Sequence, residues 1–170
     1  QNMIANNSLL PSSVTAILSN PKLAGVIDVI GNLIEVGEDY SKCISVALGA
    51  SASYVVMENE KDIQQSIQYL KQNHLGRATF FPLNIIKSKY VDRDTLSLVA
   101  KQDGFIDLAS NLVKYDTKYK NIIENQLGNI LVVKDMNAAN AIGKKINHIY
   151  RIVTLDGEMF HVGGSITGGD

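Results

Sequence analysis

Hydrophobic residues recur at helical spacing in two separate parts of the chain. Each set falls at positions i, i+3, i+4, i+7 and i+8, which predicts an amphipathic helix with one buried face. The two sets are Tyr40, Cys43, Ile44, Ala47 and Leu48, and Tyr119, Ile122, Ile123, Gln126 and Leu127. Gly49 and Gly128 follow directly. Since glycine commonly closes a helix, we expect the two helices to end there.

Each predicted helix is followed by the same succession of shorter patterns. Residues 53–57 and 130–133 are short, apolar and rich in β-branched side chains, as buried strands are. Helical patterns come next, at 61–73 and more weakly at 138–146, and strand patterns follow at 77–81 and 151–155. A short helix at 13–18, ended by Pro21, is predicted before the first of these successions.

The two successions form an internal repeat. Residues 25–49 align with residues 104–128 at a constant offset of 79 without a gap, and nine of the 25 positions are identical. The identities include Asp28 with Asp107 and Tyr40 with Tyr119. Weaker similarity joins residues 54–56 to 131–133, after a two-residue deletion, and 77–81 to 151–155. A repeat of this length indicates two copies of one structural unit.

The repeat predicts an α/β (α+β) fold of two similar, small, mixed α/β subdomains. We place an N-terminal segment at 1–22, subdomain one at 23–100 and subdomain two at 101–170. Pro82 and the polar stretch 84–95, with its Asp92-Arg93-Asp94 cluster, are expected to connect the subdomains along the surface. The sequence begins at Gln1 and ends directly after a glycine-rich run, so we interpret it as a piece of a longer chain.

Composition narrows the class of protein. The 170 residues are 45% hydrophobic and 19% charged, which is typical of a folded soluble chain. The net charge of −1 excludes a wholly basic nucleic-acid binder. The single cysteine, Cys43, excludes an internal disulfide and a cysteine-rich zinc site. Apolar runs are too short to span a membrane, so we expect a cytoplasmic protein with no membrane partner.

Catalytic and metal-binding patterns are missing from the sequence. His74, His148 and His161 are isolated, and no nucleophile elbow, phosphate-loop or metal-ligand spacing occurs. We therefore predict no catalytic residue, no metal and no cofactor. The repeated aspartates and tyrosines are interpreted as caps or packing contacts of the shared unit. Cys43 is interpreted as a small core residue on the buried helix face.

A glycine-rich run closes the sequence. Its members are Gly163, Gly164, Ser165, Ile166, Thr167, Gly168 and Gly169. A phosphate-binding loop would open a helix and carry a recognised motif, and neither condition is met here. Two interpretations stay open, namely a flexible tail and a strand or bend where another backbone approaches closely.

Basic residues concentrate at comparable places in the two copies, although the total charge is near zero. They are Lys87, Lys89 and Arg93 in one copy, and Lys144, Lys145 and Arg151 in the other. Such residues can meet nucleic-acid phosphates, or they can form an ordinary solvated surface. Aromatic residues do not alternate with them, as they do in single-strand binders, so the solvated surface is slightly favoured.

Three stretches together resemble the hinge domain of structural maintenance of chromosomes (SMC) proteins, most closely the bacterial condensin type. The stretches are residues 75–83 (LGRATFFPL), residues 151–158 (RIVTLDGE) and the closing Gly-Gly-x-x-Thr-Gly-Gly at 163–169. Their order and spacing match the family as well, and the resemblance covers about residues 15 to 169. Three independent motifs in one chain make the resemblance specific.

The resemblance implies a ring-shaped homodimer that joins two coiled-coil arms and serves chromosome condensation and segregation. It places Gly163, Gly164, Gly168 and Gly169, with Ser165 and Thr167, at the contact between subdomain two and subdomain one of the other copy. It also implies weak DNA contact through the basic stretches and a nucleoid-associated location. ATP hydrolysis would belong to head domains outside this sequence, and kleisin and accessory subunits would bind only the full-length protein.

Two functions of other classes remain as alternatives. A nucleic-acid-binding module would act mainly through the Lys and Arg patches. A small-molecule α/β enzyme would need a pocket with a perturbed titratable group, and the sequence supplies no candidate for one.

Overall fold

The computed structural model describes residues 10–170, and the first nine residues of the predicted N-terminal segment lie outside this range. In chain order, the first half of this range contains α1 (Ser12–Leu18), β1 (Val26–Val29), β2 (Glu35–Val36), α2 (Glu38–Leu48), β3 (Val55–Met57), α3 (Glu60–Gln72) and β4 (Phe80–Pro82). The second half continues with α4 (Arg93–Ala100), β5 (Phe105–Leu108), β6 (Val113–Lys114), α5 (Lys120–Leu127), β7 (Leu131–Val133), α6 (Met136–Lys145), β8 (Ile152–Thr154), β9 (Met159–Phe160) and β10 (Ile166–Thr167). No helix in the described range is long and apolar enough to cross a membrane.

The two copies form two mixed sheets with the same core arrangement. In the first sheet the strand order is β1-β3-β4, with β1 antiparallel and β4 parallel to β3. In the second sheet β5, β7 and β8 repeat this arrangement, and β9 and β10 extend it in the order β10-β9-β8-β7-β5. The predicted mixed α/β class is confirmed, and the second sheet has two strands that the first one lacks.

Packing joins the copies into one body around a shared central core. Helices α2 and α5 contribute Cys43, Ile44, Ile122 and Ile123, each fully buried, to a single cluster between the sheets. Two outer clusters cover the other faces of the sheets: α1 and α3 pack on the first sheet, and α4 and α6 pack on the second. Burying both faces of each sheet explains why the central strands β3 and β7 are continuously apolar.

A two-stranded ribbon lies on the pseudo-two-fold axis between the copies. Strands β2 and β6 pair antiparallel with Glu35 opposite Lys114, and these two residues are equivalent in the repeat because their numbers differ by 79. A residue can lie opposite its own equivalent only where the local axis passes between them. The internal repeat therefore produces a pseudo-symmetric arrangement of the two copies.

The repeated aspartates have the same structural role in both copies. Asp28 Oδ1 accepts hydrogen bonds from the Val29 N–H at 2.7 Å and from Asn32 Nδ2 at 3.0 Å. In the second copy Asp107 Oδ1 accepts them from the Leu108 N–H at 2.7 Å and from Asn111 Nδ2 at 2.9 Å. Each aspartate lies beside a register shift in its strand, so it holds an irregular strand end rather than a reactive group.

Helix α4 was missed by the sequence analysis, which extended the surface connection to residue 95. Asp92 begins this helix as its N-cap, and its carboxylate accepts the Thr95 N–H at 3.0 Å. The prediction failed because α4 has only a narrow apolar face, formed by Leu96 and Val99. By residue number α4 falls in predicted subdomain one, yet its apolar side chains lie in the outer core of the second copy.

The weaker part of the repeat alignment was wrong. Val29 lies opposite Val55, and its equivalent Leu108 lies opposite Leu131, so Val55 rather than Tyr54 corresponds to Leu131. The deletion between the copies is therefore three residues, not two. By the same comparison Phe80, opposite Val55, corresponds to Ile152, opposite Leu131. The earlier pairing of segments 77–81 and 151–155 is thus displaced by two residues.

Candidate functional site

The glycine-rich run forms a β-hairpin tied to the body of the protein. The His161 N–H donates to the Ser165 carbonyl at 2.8 Å, and the Gly164 N–H donates to the His161 carbonyl at 3.0 Å. A third bond, from the Gly163 N–H to the His148 carbonyl at 2.9 Å, joins the turn to the loop before β8. Of the two open interpretations, the structure therefore favours the strand and bend over the flexible tail.

Three of the four glycines have backbone conformations that other residues rarely adopt. The φ angles are +90° at Gly163, +109° at Gly164 and +98° at Gly169. Gly168 is different because its φ lies outside this region, and a Cβ atom there would meet Glu158 Cγ at 3.1 Å. The other two predicted members, Ser165 and Thr167, are exposed, and Thr167 Oγ1 lies 2.9 Å from His161 Nε2.

His148 supports the hairpin through its carbonyl, which accepts the Gly163 N–H, and the sequence did not reveal this role. Its backbone has φ +52°, and its N–H donates to the Gly143 carbonyl at 2.9 Å. The imidazole fills the space beside Gly143, where a Cβ atom would clash with His148 Cε1. The sequence signal was the glycine inside α6, since such a glycine often marks a close packing contact.

Strand β10 forms a free edge of the second sheet. Because residues 161 and 165 form a hydrogen-bonded pair, alternation along the antiparallel ladder turns the N–H and carbonyl groups of Ile166 and Gly168 away from β9. The surrounding surface is apolar for an exposed site, with Ile149 51%, Val162 63% and Ile166 48% exposed. Unpaired backbone groups beside exposed apolar side chains are the features of a strand that accepts a partner.

Strand β4 is the corresponding free edge of the first sheet. The Thr79 carbonyl and the Leu83 N–H, which flank β4, bond to β3. Because bonding groups alternate between the two sides of a strand, the N–H and carbonyl groups of Phe80 point to the open side. Pro82 has no N–H, and its carbonyl accepts from Ile85 and Ile86 at 3.0 Å each. In the second copy the equivalent side of β8 is covered by β9, whereas no strand of the described range covers β4.

The predicted basic residues occupy several elements around the second copy. Lys87 and Lys89 lie on the connecting segment along α5, where the Lys87 carbonyl accepts from Asn125 Nδ2 at 2.9 Å. Lys144 and Lys145 are exposed in the last turn of α6.

The remaining two basic residues, Arg93 and Arg151, are chain neighbours of the hydrogen-bonded pair Asp92 and Tyr150. The Tyr150 hydroxyl donates to Asp92 Oδ1 at 2.8 Å and accepts the Asp92 N–H at 3.1 Å. Arg93 follows Asp92 in the chain, and Arg151 follows Tyr150. Arg93 is exposed, whereas Arg151 is half-buried, and desolvation lowers the pKa of its guanidinium.

Cys43 is placed where the sequence predicted, in the central core. Its side chain is fully buried, and desolvation raises the pKa of the thiol to about 11. The thiol is therefore protonated at neutral pH and is not a nucleophile.

Comparisons with known families, proteins and structures all point to the same family. The family model described as "SMC proteins Flexible Hinge Domain" matches residues 23–143. The chromosome partition protein Smc of Bacillus subtilis is 41% identical over 148 residues, covering 87% of this chain and 12% of that protein. The Smc protein of Mesomycoplasma hyorhinis is 39% identical over 165 residues, covering 96% of this chain and 17% of that protein. The chain thus spans less than a fifth of the length of these relatives.

Two solved structures are similar in fold as well as in sequence. The first is an asymmetric dimer of the Geobacillus stearothermophilus SMC hinge domain, with a TM-score of 0.93 and 36% identity over 96% of this chain and 67% of that one. The second is the Pyrococcus furiosus SMC hinge domain, with a TM-score of 0.74 and 35% identity over 91% of this chain and 78% of that one.

Proposed function

The chain belongs to the family of SMC hinge domains, and from that premise we propose that two copies pair to hold together two arms of a chromosome partition protein. The observation that carries the proposal is that β4 ends the first sheet and β10 ends the second, each with backbone N–H and carbonyl groups turned to the open side. A chain that exposes two such edges can satisfy both by binding a second chain.

The partner strand for each edge is supplied by the opposite subdomain of the other chain. Pairing β4 of one chain with β10 of the other uses one edge of each, and repeating the contact by two-fold symmetry uses the remaining two. The result is a closed ring in which β4 and β10 of both chains are paired, which explains why association stops at two copies. The six predicted interface residues, Gly163, Gly164, Ser165, Thr167, Gly168 and Gly169, lie on the hairpin that carries β10 or directly beside that strand.

The solution mass of the chain tests this proposal. We expect light scattering at micromolar concentration to give about twice the monomer mass of 18.5 kDa, since two edge contacts form together. A mass of 18.5 kDa at that concentration would contradict self-association.

The remaining functions follow from the resemblance alone: ATP hydrolysis in head domains, kleisin and accessory subunits, and nucleoid association of the full-length protein.

Contact with DNA through the basic residues is a second candidate. Its support is that Lys87, Lys89, Lys144 and Lys145 are exposed, and within residues 10–170 the ion pairs all involve Lys42 instead. Lysines without acidic partners are available to phosphates. Arg93 is equally exposed, whereas Arg151 is less accessible.

A double charge reversal tests the DNA contact. We expect Lys144→Glu with Lys145→Glu to weaken binding of a fluorescent duplex at least tenfold, measured by anisotropy at low salt. Removing two phosphate contacts should also reduce the slope of log K against log salt by about 1.8. Lys22→Glu, an exposed lysine of the first copy, is the control. Unchanged affinity in the double variant would exclude these lysines as DNA ligands.

A further inference from the structure

The connecting segment, residues 84–91, follows β4 after one residue and ends directly before Asp92, the N-cap of α4. It forms neither a helix nor a strand, and most of its side chains are exposed. Val91 is buried in the outer core of the second copy, and Ile86 packs partly buried against the central core. A segment that buries so little apolar surface is held mainly by hydrogen bonds, and such segments can open locally.

Polar groups on the outer face of α5 hold the middle of the connecting segment. The Lys87 carbonyl accepts from Asn125 Nδ2 at 2.9 Å, and the Lys89 N–H donates to the Glu124 carbonyl at 3.4 Å. The Ser88 hydroxyl lies 3.3 Å from a side-chain oxygen of the same helix. Two of these three contacts are long for hydrogen bonds. Because water competes for exposed polar groups, each contact adds little net stability.

Both ends of the connecting segment are fastened at the surface through a carboxylate. At the first end Asn84 Nδ2 donates to Glu60 Oε2 at 2.8 Å, and this bond lowers the pKa of the Glu60 carboxyl. At the other end the Tyr150 hydroxyl bonds to the Asp92 carboxylate and to the Asp92 N–H. Asn84, Glu60 and Asp92 are exposed, so water can replace these bonds as well.

One carboxylate beside the connecting segment has a buried oxygen without a hydrogen-bond donor. Glu124 Oε1 is buried, and no residue of the described range donates to it. Desolvation, the charge of Glu124 and Tyr90 together raise the pKa of the Tyr115 hydroxyl, so this carboxylate and Tyr90 of the connecting segment both lie near Tyr115. A buried acceptor without a donor costs free energy that hydration would recover. The closed position of the segment therefore carries a local cost.

The equivalent face of α2 is covered in a different way. Lys42 and Val46 of α2 correspond to Asn121 and Asn125 of α5 at the offset of 79. A Cβ atom at Gly157, on the loop between β8 and β9, would lie 3.2 Å from Lys42 Cε and 3.3 Å from Val46 Cγ2. That loop is held by the pairing of β8 with β9, whereas no strand of residues 10–170 includes the connecting segment. The connecting segment can thus leave its helix without breaking a sheet.

We propose that the connecting segment is a releasable strap, which detaches from α5 as a unit while the two copies stay joined. The copies stay joined because α2 and α5 pack directly on each other in the central core. Release would let β4 move relative to the second copy, since the segment begins one residue after that strand. The benefit of this movement to a partner bound at β4 rests on the proposed function, whereas the release itself needs no partner.

Trypsin cleavage of the folded chain tests the release. Cleavage measures the population of an opened form when opening and closing are fast. The segment bonds follow Lys87 and Lys89, and the core bond follows Lys42, whose neighbour Cys43 is fully buried. We expect the segment bonds to be cut about tenfold faster or more, at a rate insensitive to low urea, because local opening exposes little surface. The two products should elute together, since the central core still joins them.

Substitutions separate release of the connecting segment from unfolding of the core. Asn125→Ala and Tyr150→Phe remove hydrogen bonds made only in the closed position, so each should speed cleavage of the segment bonds about threefold or more. Asn140→Ala, the same substitution at an exposed position of α6, should leave that rate at the wild-type value. Ile44→Val shortens a buried side chain of the central core and should speed cleavage of the core bond alone.

Equal cleavage rates for segment and core bonds, both rising steeply with urea, would overturn the release, because the segment would then open only on global unfolding. Wild-type segment cleavage in both Asn125→Ala and Tyr150→Phe would overturn it too. Fast segment cleavage in a chain of monomer mass would support the release and contradict only the proposed self-association. Circular dichroism of each variant establishes that it is folded.

Discussion

A chain with larger residues at Gly163, Gly164, Gly168 and Gly169 is expected to be monomeric, with a dimer dissociation constant raised at least a hundredfold. The glycine hairpin lies at the free edge of β10, and added side chains would hold the partner backbone away from its open N–H and carbonyl groups. Because the ring is two-fold symmetric, the substitutions weaken both of its contacts at once. Sedimentation velocity over a concentration series measures the change.

The single variant Gly168→Val separates loss of the interface from loss of the hairpin. Three of the glycines have positive φ, so replacing them also strains the turn, whereas Gly168 does not. Its new Cβ atom would meet only the Glu158 side chain, at 3.1 Å, and that side chain can move. Gly37→Val is the matched control, because a Cβ atom there would have no atom of a non-neighbouring residue within 4 Å. A Gly168→Val chain that dimerises like wild type would place the interface elsewhere.

Gly128→Ala is expected to destabilise the monomer fold strongly without touching either free edge. Its φ of −72° suits any residue, but a Cβ atom there would clash with the carbonyl oxygens of Lys89 and Glu124. Both contacts are with backbone, so relief requires the connecting segment to move away and the last turn of α5 to shift as well. Overpacking of this kind should lower the free energy of unfolding by about 2–4 kcal/mol, measured by urea denaturation.

Gly37→Ala is the corresponding control for stability. The position is open and has φ −69°, so the change should stay within about 1 kcal/mol of wild type. Both chains are compared at one protein concentration, because dimerisation would add to the apparent stability. Equal midpoints for Gly128→Ala and wild type would show that the connecting segment does not press on α5 as the structure places it.

Particular residues show why some predictions were confirmed and others were wrong. The faces of α2 and α5 were read correctly because Cys43, Ile44, Ile122 and Ile123 are spaced by the helix itself. The strand alignment of the copies failed because β3 and β7 are only three residues long and apolar throughout. A slip of one residue leaves such a pattern unchanged while it moves every side chain to the other face.

The candidate site was likewise predictable from the sequence only in part. The glycines at the end of the chain were identifiable from sequence, because runs of glycine are rare and the family motif is specific. Their geometry was not, since the support from His148 and the free sides of β4 and β10 arise from segments far apart in the chain.

The sequence by itself determined the elements that depend on near neighbours: most of the helices, the apolar strands, the repeat, and the caps and turns made by glycine and aspartate. The tertiary structure decided everything that depends on pairing between distant segments. It fixed the strand register, the shared core around α2 and α5, the place of α4 in the second copy and the position of β4 and β10 at sheet edges. The physical reason is that the spacing of a helix face depends on residues a few positions apart in the chain. Strand pairing and burial depend instead on competition among all segments of the chain.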